Sequence, residues 1–260
     1  MLANTLPLAW RIVIIFLAGV AAGISNGIAG GGTFISFPAL LSLGYPSLQA
    51  NMSSSVGIVP STLGGIRGFR HELSIHQRLF RELVPTCVAG SLVGTGFLLF
   101  SSASTFRTVV PWLIGTATLL FAAAPRLTKA FARIERRESG SGERRVPLFI
   151  GIFVASVYGG YFGAGLGIVL LAVMALSLPY ELNVLQGLRQ AFGLLINGVA
   201  AVVFIVRGHL ALVAVIWLLV GSLIGGWLGT VLIRRVSPKV VRVLVIAIGA
   251  ATTIRLAVGS

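Results

Sequence analysis

The chain of 260 residues is 56% hydrophobic and only 10% charged, with a mean hydropathy of +0.99, whereas soluble domains are about a quarter charged. This composition excludes an ordinary soluble protein and predicts an all-α polytopic membrane protein embedded in a lipid bilayer. The formal net charge of +14 does not indicate nucleic acid binding, because the basic residues lie almost wholly in short gaps between apolar runs.

Apolar runs separated by helix breakers predict ten segments, five in each half of the chain. Between the halves lies a charged stretch whose composition is typical of a flexible aqueous loop. We therefore divide the chain into a first membrane repeat at 1–125, a cytoplasmic linker at 126–145 and a second membrane repeat at 146–260. The predicted segments are 10–28, 33–43, 50–66, 83–100, 109–124, 146–158, 166–178, 188–206, 210–233 and 240–256.

The basic residues predict how the chain is oriented in the membrane. If every segment crosses, roughly sixteen of the 20 basic residues fall on one side, which identifies that side as the cytoplasm and places both termini outside the inner (plasma) membrane. The count does not distinguish ten crossings from eight, because a re-entrant hairpin leaves the other loops in place. With five segments per half, the second repeat enters from the opposite side, so the repeats are predicted to be inverted.

Two glycine-rich stretches interrupt the apolar runs at matching places, residues 27–33 (GIAGGGT) and 159–165 (GGYFGAG). The segments that follow them would rise only about 16 Å and about 20 Å, too little to cross a hydrocarbon core about 30 Å thick. Glycine-interrupted, undersized segments in corresponding positions are typical of discontinuous helices at the substrate site of secondary transporters.

The start of each short helix is predicted to bind an anion through uncovered backbone N–H groups. These groups have no intrahelical partner and carry the positive end of the helix dipole, and glycine allows close approach to them. The alternative is that the glycines only let helices pack closely. The substrate-binding candidates from these stretches are Gly30, Gly31, Gly32, Thr33, Tyr161, Gly163 and Gly165.

Polar side chains at the start of the third segment of each half could complete such a site. In the first half these are Asn51, Ser54 and Ser55, which are also ordinary helix caps. In the second half, Arg189 and Gln190 stand where Ser54 and Ser55 stand in the first. A guanidinium suits sulfonate, sulfite or carboxylate oxygens, but an arginine near a helix end also serves as an interfacial anchor.

Asn197 lies deeper in the segment that carries Arg189 and cannot reach the interface. It is predicted either to bond a neighbouring helix or to line the substrate path. We include it among the substrate-binding candidates.

Missing residue types narrow the function further. There is no aspartate, and the six glutamates fall in loops or at segment ends, so neither cation transport nor a buried carboxylate proton relay is expected. The histidine spacing suits no metal site, and no nucleotide-binding or hydrolase motif occurs. We expect no cofactor, no metal and no enzymatic activity.

The order and spacing of these motifs resemble the TauE/SafE family of sulfite exporters and related anion permeases. The first half contributes residues 27–33, 37–41 and 51–65, and the second contributes 158–165, 188–190 and Asn197. The resemblance covers nearly the whole chain. It implies an inner-membrane permease for sulfite, sulfonates or other small sulfur-containing anions.

The leading hypothesis is a secondary transporter that binds a small oxyanion between two repeats, which rock against each other. Two alternatives stay open at this stage. One is a passive anion channel, and the other is a non-transporting membrane subunit that packs against a partner. The sequence leaves open whether the protein forms a homo-oligomer.

Overall fold

The fold is that of a helical membrane protein, as expected from its composition. In this computed structural model, residues 6–63, 76–137, 145–232 and 238–258 are described, with side chains at all of these except 28–29, 124–137, 230–242 and 257–258. All regular secondary structure in these ranges is helical. The helices are α1 Leu8–Ala29, α2 Thr33–Ser42, α3 Ser47–Gly57, α4 Gln77–Phe100, α5 Ala103–Arg137, α6 Arg145–Tyr161, α7 Leu166–Ser177, α8 Leu182–Arg207, α9 Leu212–Leu232 and α10 Pro238–Val258.

Five of the described helices are long and apolar enough to cross a membrane, namely α1, α4, α5, α8 and α9. Large apolar side chains lie on their outer faces, where a bilayer would cover them, as shown by Phe100 and Trp112, which are 93% and 76% exposed. The helices α2 and α7 have only 10 and 12 residues. The prediction that the two segments after the glycine-rich stretches are too short to cross alone is therefore confirmed.

Two predicted segment ends are wrong, and α4, α5 and α8 each begin six residues before their predicted starts at 83, 109 and 188. The third segment was expected to continue from residue 50 to 66, but α3 ends at Gly57 and a tight turn at 58–60 separates it from a new helical turn at Ser61. The cause is Pro60, whose nitrogen carries no hydrogen for the helical ladder.

The linker was expected to leave the helix at Arg126. Instead α5 continues to Arg137, because residues 126–137 contain good helix formers and neither glycine nor proline. The rest of the predicted linker up to residue 144 lies outside the described residues.

Small residues allow two helix pairs to pack with their backbones in contact. In α1 and α9, a β-carbon on Gly23 would lie 2.5 Å from the Ser222 carbonyl oxygen, and one on Gly19 would lie 3.0 Å from that of Leu218. In α4 and α6, a β-carbon on Gly90 would lie 2.7 Å from the Phe153 carbonyl oxygen. Glycines inside the long helices therefore provide the close packing that small-residue patterns allow in membranes.

The order of contacts along the helices shows their relative directions. Along α1, Gly19, Gly23 and Gly27 meet successively later residues of α9, so these two helices are parallel. Along α3, Ser53 and Gly57 likewise bond to Ala211, which directly precedes α9, and then to Ser222 of α9. The helices α1, α3 and α9 therefore point the same way.

A second set of helices points the opposite way. Gly90 and Gly94 of α4 meet successively later residues of α6. Gly159 of α6 meets Ile196 of α8, and Gly163, just after α6, meets Asn197. The end of α8 reaches Met52 of α3 through Gly208, and a loop of four residues then returns the chain into α9. The helices α4, α6 and α8 are therefore antiparallel to α1, α3 and α9.

Most of the helix packing in the two halves follows one pattern when each helix is matched to the one five places later, with α6–α8, α1–α10 and α3–α5 as exceptions. The helix α1 packs most extensively on α9, and its counterpart α6 packs most extensively on α4. The same correspondence relates α3–α9 to α8–α4, α2–α3 to α7–α8 and α2–α10 to α7–α5. The matching exchanges α3 with α8 and α5 with α10, so each of these two packed pairs is matched to itself. Each pair joins the two halves of the chain.

Candidate functional site

The two glycine-rich stretches form equivalent helix endings. Gly30 and Gly163 have φ of 76° and 75°, in the left-handed region that glycine adopts without steric cost. The amide of each bonds to the carbonyl five residues earlier, Gly30 to Ser25 at 3.2 Å and Gly163 to Tyr158 at 3.1 Å. The chain then turns and starts a short helix, so α1–α2 and α6–α7 are equivalent broken pairs.

The two breaks meet in the interior of the protein, beside Arg189. A β-carbon on Gly30 would lie 3.1 Å from Arg189 Nη1 and 3.3 Å from the Gly167 Cα. One on Gly167 would lie 3.2 Å from the same Nη1 atom. The guanidinium therefore lies over the backbone of both breaks, in a space that exists only because neither residue has a side chain.

Arg189 is buried without a partner among the described residues. It is 5% exposed, and its Nε atom makes no hydrogen bond. The ion pairs in the described part of the chain join Glu82 to Arg78 and to Arg145, and both of these arginines are exposed. An arginine keeps its charge, and a buried unpaired charge costs several kcal/mol. Arg189 is therefore not an anchor that reaches the membrane surface.

A small cavity lies between the two halves at this point. Its volume is about 20 Å³, which is room for about one water molecule. The first turns of α2 and α7 contribute to the wall, so both helix N-termini, the positive ends of their dipoles, lie beside it. Within the described residues, the Gly167 amide has no hydrogen-bond acceptor. The lining consists of Asn26, Gly30, Thr33, Ile58, Thr62, Gly163, Leu166, Gly167, Arg189, Gln190, Gly193 and Asn197.

Neutral hydrogen bonds hold the rim of this cavity. Asn26 Nδ2 donates to Ser61 Oγ at 2.8 Å, and Ser61 Oγ donates to the Ile58 carbonyl. These bonds tie the end of α1 to the turn after α3. In the second half, the Tyr158 hydroxyl donates to the Ala164 carbonyl and fixes the loop before α7. The arrangement therefore has one positive charge, two helix N-termini and neutral donors, which is the chemistry of an anion site.

The structure brings six of the predicted site residues to the cavity and places seven elsewhere. Those that line it are Gly30, Thr33, Gly163, Arg189, Gln190 and Asn197. Outside it, Gly31 faces Phe121, Gly165 faces Phe34 and Gly32 faces the Ala22 carbonyl. The remaining four are Asn51, Ser54, Ser55 and Tyr161.

These four residues make other contacts. Asn51 Nδ2 donates to the Tyr161 carbonyl at 3.1 Å, and the Ser54 hydroxyl lies 2.6 Å from that of Ser36. The Tyr161 ring packs against Phe106, and Ser55 is buried on α3. Asn51 and Tyr161 thus connect α3 to the second break and do not line the cavity.

Sequence reasoning missed several lining residues, although a signal for them exists. Aligning Arg189 with Ser54 pairs Gly193 with Ile58 and Asn197 with Thr62, four and eight positions later, a spacing that falls on one face of a helix in α8. All four of these later residues line the cavity. Asn197 is already a sequence candidate, and extending the alignment by eight positions would have added Ile58, Thr62 and Gly193, whereas Asn26, Leu166 and Gly167 required the folded structure.

The chain matches the family described as Sulfite exporter TauE/SafE over residues 15–256, which is nearly its whole length. The chain belongs to the TauE/SafE family. Both glycine-rich breaks, Arg189 and Asn197 lie within the matched region, so the resemblance drawn from the motifs is confirmed.

Curated relatives of this TauE/SafE protein are described as transporters. It is 23% identical to a probable membrane transporter protein of Haemophilus influenzae over 90% of each chain. It is 22% identical to the probable membrane transporter protein YfcA of Escherichia coli K12, over 94% of this chain and 88% of the relative. No solved structure matches the fold. The family and the apolar helices together identify a multi-pass membrane protein of a transporter family.

Proposed function

We propose that this TauE/SafE protein is a secondary transporter for small sulfur-containing oxyanions such as sulfite or organosulfonates. The observation that carries the proposal is Arg189, a buried guanidinium with no described partner at the point where two broken helices meet. A sulfite or sulfonate group offers several oxygens to the planar fork of the guanidinium. Binding such an anion would neutralise a charge that the protein leaves uncompensated.

The two short helices add to this preference for anions. Each N-terminus carries about half a positive charge, and the cavity lies at the N-termini of both α2 and α7. Side chains of Gln190, Asn197 and Thr33 supply neutral donors around the same point. A cation would meet positive potential from three directions and no described carboxylate.

We further propose that residues 1–125 and 146–260 form two inverted repeats, which rock against each other to expose the site alternately to each side. The matched packing of helices five places apart supports the repeat. The opposite directions of α1 with α3 and of α6 with α8 support the inversion. A site on the boundary between such repeats is typical of secondary transporters.

The proposed orientation places both termini outside the inner membrane. The basic-residue asymmetry supports it, and so does the interaction of Glu82 with both Arg78 and Arg145, which brings the starts of α4 and α6 to one end of the protein. Arg11 donates to the Leu43 carbonyl near the start of α1. That contact lies at the end of the bundle opposite to Glu82. This arrangement is expected if the start of α1 faces the outside of the cell and the chain then runs toward the cytoplasm as far as the α1–α2 connection.

The test is flux of radiolabelled sulfite and of a labelled organosulfonate into lipid vesicles that contain the purified protein. We expect uptake by the wild type and a loss of at least about tenfold for Arg189→Gln, because removing a charged hydrogen-bond donor costs about 1.5–3 kcal/mol. Arg107→Gln changes an exposed arginine and is the matched control. No flux of any anion by the wild type would favour the non-transporting subunit instead.

A further inference from the structure

We infer that the transporter is an obligatory anion exchanger. Its closed conformation forms readily only when an anion is bound to Arg189. The outward step and the inward step of the cycle therefore each require a bound anion. This inference rests on the proposed function. It concerns a property that transport alone does not imply, because a carrier can also return without a substrate.

The first step is that no described residue neutralises Arg189. Among the described residues, Arg189 is the single charged side chain that is buried. The neighbouring α3 and α7 contain no charged residue. The charged groups described on α4 and α6 are Arg78, Arg81, Glu82 and Arg145, and they lie near the helix starts. An arginine also cannot discharge itself by losing a proton.

The second step is that water cannot take the place of an anion in the closed conformation. The cavity beside Arg189 has a volume of about 20 Å³, which holds about one water molecule. One water cannot replace the hydration shell of a guanidinium. The N-termini of α2 and α7 raise the positive potential further. Sulfite is larger than one water molecule, so an anion that balances the charge must widen this cavity as it binds.

The consequence is a difference between the loaded and the unloaded carrier. With a bound oxyanion, the repeats close over a nearly neutral site. Without one, they must close over an unpaired guanidinium, a penalty that slows the step by about a hundredfold or more. No described aspartate or glutamate lies in the cavity to supply a balancing negative charge. The efficient cycle is therefore oxyanion out for oxyanion in.

The experiment measures the initial uptake of radiolabelled sulfite into vesicles that contain either unlabelled sulfite or an impermeant buffer. An ionophore holds the membrane potential at zero, so that charge movement does not limit either arm. We expect uptake at least about tenfold faster with internal sulfite, since the slow unloaded return is then bypassed. Equal rates in the two arms would overturn the exchange inference and leave the transport proposal intact. No uptake in either arm would overturn both.

Two substitutions assign the exchange requirement to the charge of residue 189. Arg189→Lys keeps a buried cation, so we expect slower uptake that still depends on internal sulfite. Arg189→Gln removes the cation, so whatever uptake remains should be nearly independent of internal sulfite. Gly96→Ala, at a position where a β-carbon meets no atom within 4 Å, should keep the wild-type ratio. Loss of the dependence in Arg189→Lys with uptake retained would contradict the inference.

Discussion

Gly30 and Gly167, from opposite halves of the chain, approach so closely that a β-carbon on either would lie 3.3 Å from the Cα of the other. Arg189 Nη1 lies over both. The contact joins the two helix breaks, and it leaves no room for a side chain between them. The position of the guanidinium therefore depends on two glycines that are 137 positions apart in the sequence.

Adding a methyl group at Gly30 should disable transport. Alanine at φ 76° is strained by about 1–2 kcal/mol, and its β-carbon would also press on Arg189. Gly30→Ala should therefore lower sulfite flux by at least about tenfold. Gly167→Ala, whose backbone is not in the left-handed region, should have a smaller effect. Wild-type flux in Gly30→Ala would argue against a functional break, and Gly96→Ala is the control for the methyl group itself.

Replacing Arg189 with methionine should stabilise the protein while abolishing anion binding. A buried unpaired charge is costly, and an apolar residue of similar length removes that cost, for a gain of about 1–3 kcal/mol. Thermal unfolding in detergent measures this directly. Sulfite should raise the unfolding temperature of the wild type but not of Arg189→Met, because a ligand stabilises only the protein that binds it. A destabilised variant would indicate that Arg189 has a structural partner.

Gly23 and Gly27 lie on the same face of α1 but should respond differently to alanine. At Gly23 a β-carbon would lie 2.5 Å from the Ser222 carbonyl oxygen, whereas at Gly27 the nearest atom is 3.7 Å away. Gly23→Ala should cost about 1–3 kcal/mol by forcing α1 from α9, and Gly27→Ala should be neutral or slightly stabilising. Unfolding of both variants in detergent tests this pair. Similar stabilities would show that the two helices can separate without cost.

Asn51 should stabilise the second break without contacting the bound anion. It is fully buried, and its amide donates to the Tyr161 carbonyl at 3.1 Å. Asn51→Ala leaves that carbonyl unpaired, so we expect a loss of about 1–3 kcal/mol and slower transport with little change in the apparent affinity for sulfite. Asn183→Ala, at an exposed position of α8, is the control. A large change in affinity with normal stability would instead indicate direct contact with the anion.

Cysteine labelling can test the orientation. The chain has one cysteine, Cys87, which is fully buried, so Cys87→Ala provides a clean background. Leu6→Cys should react with a membrane-impermeant maleimide in intact cells, and Arg78→Cys should react only after permeabilisation. The reverse pattern would place both termini in the cytoplasm and invert the proposed topology.

Composition alone was enough to predict the class of protein, because no soluble fold accommodates this much apolar surface. The helix breaks were also predictable. Glycine lowers the cost of leaving the helix, and the short length of α2 and α7 follows from where the next breakers stand. The end of α3 was misplaced because the apolar character of residues 58–63 concealed the effect of Pro60. The helical part of the linker was missed because a charged composition does not exclude a helix.

The site shows where sequence reasoning stopped. Arg189 and its neighbours Gln190 and Asn197 could be proposed because a cation and amides in an apolar run are costly unless they have a function. Whether Arg189 reaches an interface or the interior could not be predicted, since the sequence around it is compatible with both. Only the packing of α8 against both glycine breaks decides this, because that packing closes the route to solvent and places two backbone segments beneath the guanidinium.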